Sequence, residues 1–128
     1  MAEISNYLEN ALINGTLRAT SYTAPTTTFL ALYTNDPTDA DTGTEVTGGS
    51  YVRQAITFSA PSGGATSNSS AIEFPQCTAD WGTVTHIGIR DAVTTGNLLY
   101  HSALDTSKTI ANGDIFKITA TNLSVTLA

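Results

Sequence analysis

The residues able to do chemistry in this chain are few. Two histidines, His86 and His101, fall in runs that read as neighbouring strands, and Cys77 is the single cysteine. A histidine beside Cys77 or a serine could act as the base of a nucleophile–base pair. The sequence contains neither Gly-x-Ser-x-Gly nor His-Glu-x-x-His, and chain order says nothing about triad geometry. His86 alternates with Thr85 and Ile87, the pattern of a residue on a sheet face. No basic residue adjoins Cys77 to activate it, so an inert, partly buried thiol is expected. We expect no catalytic residue and no enzyme.

Four acids, Asp36, Asp39, Asp41 and Glu45, gather in one loop and offer the hard oxygen ligands that calcium takes. Their spacing, Asp39-x-Asp41-x-Gly43-x-Glu45, does not match the EF-hand pattern. Acids in such a loop also shape it through Asx turns. The expectation is a contact loop or exposed tip, with no metal and no cofactor. Trp81, Tyr51 and Tyr100 could serve as stacking platforms for a sugar. A single Trp followed by Gly82 at the start of a strand reads instead as a core anchor.

The elements that must position these residues are mostly β. Only 12% of the 128 residues are charged, about half the usual share, and Thr and Ser fill most polar positions. Ile4, Leu8, Ala11 and Leu12 form one narrow apolar stripe at helical spacing, with Ser5 as a cap and Asn14-Gly15 as a stop. So narrow a stripe suits docking on a partner or sister subunit, which makes these four the expected assembly residues. Strands are predicted over 29–33, 51–59, 71–74, 83–90, 98–104, 108–110, 115–119 and 122–127. A turn at Asn112-Gly113-Asp114 is expected to join two of them as a hairpin. The fold class is mainly β: an antiparallel β-sandwich or squat barrel of roughly seven to eight strands with one N-terminal helix. Residues 1–20 form an arm and 21–128 the β domain. The expected core is Phe29, Leu30, Leu32, Ile56, Phe58, Phe74, Trp81, Ile87, Ile89, Leu99, Phe116 and Val125.

Charge narrows the partners. Net charge is −6, and the five cations, Arg18, Arg53, Arg90, Lys108 and Lys117, are scattered along the chain. Nucleic-acid binding needs them clustered, so no nucleic-acid partner is expected. No apolar stretch approaches the ~20 residues that span a bilayer, and the N-terminus lacks the basic and apolar regions of a signal peptide. We expect no membrane contact, and synthesis in the cytoplasm.

Several stretches carry a family likeness. They are Phe29 to Arg53, Phe58-Ser59-Ala60-Pro61-Ser62, Ala71-Ile72-Glu73-Phe74-Pro75, and Trp81-Gly82-Thr83-Val84-Thr85-His86-Ile87-Gly88-Ile89 with Gly96-Asn97-Leu98-Leu99-Tyr100. The most specific are Leu30-Ala31-Leu32-Tyr33-Thr34-Asn35-Asp36-Pro37 with Gly43-Thr44-Glu45-Val46, and the run from Trp81 to Ile89. The chain resembles the small virion proteins of tailed bacteriophages that are labelled tail-fibre-like, and is similar to capsid decoration, or cement, proteins. The resemblance implies a structural virion component with no catalytic residues. The expectation placed first is a decoration protein that bridges and stabilises neighbouring subunits of the major capsid protein. The alternative is a tail or tail-fibre component bound to tail proteins. A carbohydrate-binding β-sandwich in host recognition is the alternative of another class. A homo-oligomer, trimer or dimer, is expected in each case.

Overall fold

A run that is apolar on both faces needs cover on both sides, and the central strands meet that need. The computed structural model describes residues 2–127, so Met1, the first residue of the expected arm, lies outside the described residues. The elements in chain order are β1 (Glu3–Ile4), α1 (Asn6–Leu17), β2 (Thr28–Tyr33), β3 (Gln54–Ile56), β4 (Ala65–Ser67), β5 (Ile72–Glu73), β6 (Gly82–Arg90), β7 (Leu98–Ile110), β8 (Lys117–Ile118) and β9 (Ser124–Thr126). All pairings are antiparallel. The main sheet has the order β1-β7-β6-β2-β3, and two short ribbons, β4-β9 and β5-β8, complete the architecture. The sheets stay open, so the chain is a β-sandwich with one helix and not a barrel. No helix among the described residues is long and apolar enough to cross a membrane.

Strands β6 and β2 hold the centre. Leu30 pairs with Ile89 and Leu32 with Ile87, and all four side chains are buried. Gly88 sits where the Tyr33 ring and Leu98 close over the sheet. A Cβ there would lie 2.8 Å from Tyr33 Cε2 and 2.7 Å from Leu98 Cδ1. Below these strands, Tyr51, Phe74, Trp81 and Phe116 form one aromatic cluster. Tyr51 stacks on Phe74 at 5.9 Å between centroids. Trp81 meets Tyr51 edge-on at 5.4 Å and Phe74 at 6.2 Å. Ten of the twelve expected core residues are buried, while Phe29 and Phe58 are only half-buried. Asn68, absent from the expected core, is fully buried and fully bonded. Its Nδ2 donates to Ser70 O and Thr119 O, and its Oδ1 accepts from Leu123 N at 2.9 Å. It ties the β4-β9 region together at a point no apolar residue could serve.

Several boundaries differ from the sequence reading. Ser5 caps the helix as expected, accepting from Leu8 N at 3.2 Å. Ile4 lies outside the helix, in β1, opposite Tyr100. Asn14-Gly15 does not stop the helix, which runs on to Leu17. The Asn14 carbonyl instead accepts from both Arg18 N and Thr20 N, and that ends the element. Strands β1 and β4 are not among those predicted from the sequence. The stretch 51–59 pairs only over Gln54–Ile56, apart from a bridge from Phe58 to Asn68. The hairpin expected across Asn112-Gly113-Asp114 does not form. Residues 108–110 extend β7, and β8 pairs with β5.

Candidate functional site

The acid-rich loop 35–50 and the turn 91–97 are drawn together by two arginines. Arg53 follows Tyr51-Val52 and Arg90 ends an apolar strand, so both enter the protein with their strands. A buried guanidinium needs a carboxylate partner and further acceptors. Arg53 finds Glu45: Nε donates to Oε2 at 2.8 Å and Nη2 to Oε1 at 2.7 Å, while Nη1 bonds the carbonyls of Ala92 and Thr95. Arg90 finds Asp41 in the same two-pronged way, at 2.8 and 2.9 Å. It also donates to the Tyr33 hydroxyl and to the carbonyls of Gly96 and Thr95. The Tyr51 hydroxyl donates to Glu45 Oε2 at 2.6 Å and accepts from Leu32 N at 3.0 Å. Loop, turn and central strand are thereby fastened at one end of the sheet.

The same geometry sets protonation. Burial raises the Glu45 pKa, but the hydrogen bonds from Arg53 and Tyr51 outweigh it, and the net shift is downward from 4.5. Burial and the bond to Glu45 push the Tyr51 hydroxyl far up. A carboxyl whose folded pKa is depressed adds stability above its unfolded pKa and loses it as pH falls through the folded value. Melting temperature should therefore drop as pH falls below 4.5. Glu45→Gln should flatten that part of the curve. Equal slopes in the two proteins would place the acid sensitivity elsewhere.

A second cluster surrounds His101. Its ring is buried, and Nε2 donates to Asp39 Oδ1 at 2.7 Å. Glu3 Oε2 and Asp36 Oδ1 stand 3.6 and 3.8 Å from Nδ1. Glu3, Asp39 and His101 could offer ligand atoms to one cation, all within 4.8 Å of each other. The trio also has a plain mechanical role. Asp39 O accepts from Asn6 N at 2.8 Å, so the loop grips the N-terminal arm where α1 begins.

The expected loop residues thus divide: Asp41 and Glu45 are paired with arginines, while Asp36 and Asp39 face His101. The expected assembly residues divide too. Leu8 is buried in its own domain, Ala11 and Leu12 are half-buried, and Ile4 is in β1. Leu8 is therefore covered by its own chain and is closed to a partner. His86 bonds Thr85 Oγ1 at 2.8 Å. Cys77 is buried against the carbonyl of Ala79. Trp81 is buried and its Nε1 donates to Gly49 O at 2.9 Å, so it is no surface platform. Arg53 and Arg90 were missed as members of the site. An arginine inside an apolar run signals a buried partner, and that clue was present in the sequence.

The chain is thus an open antiparallel β-sandwich with one helix, its loop acids Asp41 and Glu45 paired internally with Arg90 and Arg53. The chain belongs to a family of tailed-phage virion proteins. That family is described as Podophage GP4 fiber I protein gp80, and its model matches residues 3–126. No curated protein matches the chain.

Proposed function

We propose that this protein is a fibre component of a tailed-phage particle, made in the host cytoplasm and acting through protein–protein contacts without catalysis. The observation that carries the reading is the fibre family's match from residue 3 to residue 126, nearly the whole chain. The arrangement of polar groups supports it. Each acid that could have served chemistry in the loop has an internal partner, and Cys77 and Trp81 are buried. A capsid decoration protein is the second reading, favoured by the low share of charge, which suits many-copy packing against a shell. The sugar-binding reading loses its main support with Trp81 in the core. Tail proteins are the partners in the first reading and the major capsid protein in the second.

Removing the gene and comparing heads with tails tests the choice. The expected result is particles with sound, heat-stable heads that adsorb poorly or not at all. Normal adsorption with heads that release their genome on mild heating would overturn the fibre reading in favour of decoration.

A further inference from the structure

The cations that look scattered in sequence are not scattered in space. Arg53 and Arg90 are used in internal ion pairs, and Arg18 bonds Asn14. Among the described residues that leaves Lys108 and Lys117, both exposed and with side chains that make no ion pair or hydrogen bond. They line one groove of about 810 Å³. Ile87, Leu104, Ile118 and Leu123 contribute its apolar lining. The groove follows from a fault in the ladder. Val84 pairs with Lys108 and His86 with Ala103, so β6 advances two residues while β7 advances five. The three extra residues bulge β7 outward, and among the described residues β1 pairs with that strand at Tyr100 and His101.

Helix α1 carries a face that matches. Glu9, Ile13 and Leu17 recur at i, i+4 and i+8 and so fall on one line. The line points away from the buried Leu8. Ile13 is 52% exposed and Leu17 79%, the most exposed large apolar residue among the described ones. The Glu9 carboxylate makes no ion pair. We propose that this face of α1 docks in the groove of a second copy of the chain. Ile13 and Leu17 would meet the apolar lining, and Glu9 would face Lys108 and Lys117. One surface has an acid and two aliphatics; the other has two ammonium groups and one carboxylate, Asp105, over an aliphatic bed, with Glu73 opposite Lys117 in the β5–β8 ladder, so its excess charge is positive but partly offset. Both charge and hydrophobicity are complementary within one sequence, which favours a sister copy over a foreign partner. Groove and helix face use different residues. The contact is therefore heterologous in a ring, or made twice across a two-fold axis. The inference goes beyond the fibre reading, since a shell protein could use the same contact.

Light scattering after gel filtration, with sedimentation equilibrium on the full chain, tests it. Wild type should be a multimer. Leu17→Asp should weaken association at least tenfold while leaving the far-UV spectrum intact, because Leu17 is solvent-facing. Glu9→Lys alone should weaken it, as should Lys108→Glu with Lys117→Glu. Combining all three reversals should restore much of the loss. A monomeric wild type at every concentration would overturn the proposal, and would point to a foreign partner for the groove. So would a multimer indifferent to Leu17→Asp, or three reversals that fail to rescue one another.

Discussion

Replacing Trp81 by alanine is expected to lower unfolding free energy by about 3–5 kcal/mol, the range for large aromatic truncations in a packed core. Trp81 is 5% exposed. It loses edge-on contacts with two rings and the indole bond to Gly49 O when truncated. Each aromatic contact contributes roughly 0.5–1.5 kcal/mol beyond area burial. The surroundings have little room to relax. A Cβ at Gly49 would lie 2.7 Å from the indole Nε1, and Gly49 has φ of +57°, so the loop there is fitted to the ring. Trp81 is the only tryptophan. Denaturation must therefore be followed by circular dichroism. A loss under about 1 kcal/mol would mean that Trp81 packs less than its burial implies.

Arg53→Met is expected to cost about 3 kcal/mol, the low end of what breaking one side of a buried pair costs. The Glu45 carboxylate would keep only Tyr51, the Ala92 carbonyl would lose its donor, and the Thr95 carbonyl would keep only the longer bond from Arg90. The low end applies because the Glu45 side chain is 22% exposed and water can reach it. The double change Arg53→Met with Glu45→Leu should recover a large part of the loss, since it removes both charges together. A double variant as unstable as the sum of its singles would show that the pair is not coupled.

Much of the core was legible in the sequence because apolar runs such as Leu30-Ala31-Leu32-Tyr33 and Ile87-Gly88-Ile89 can only be buried. The helix start was legible through Ser5, whose oxygen has a local task. What was not legible depends on distant partners. Ile4 fits a helical stripe, yet the edge of β7 claims it through two residues of pairing. The alternation of 51–59 set Arg53 on the face opposite Ile56, and Ile56 is buried. Arg53 is buried nonetheless, because Glu45 lies eight positions upstream. The loop acids read as a solvated cluster because nothing in their own spacing points to His101, Arg53 or Arg90. Lys108 and Lys117 flank a turn signal in sequence. Only the bulge in β7 reveals that they share a groove.

The arginine fastening has a thermodynamic meaning beyond stability. A loop of sixteen residues, 35–50, would ordinarily lose much conformational entropy on being captured, at about 1–2 kcal/mol per ordered backbone residue. Here folding has already ordered it, through Asp41, Glu45 and Asp39. Any partner that meets this rim meets a surface in its bound shape, so association is spared most of that ordering cost. Weak individual contacts can then add up along an assembly without each subunit having to reshape as it joins.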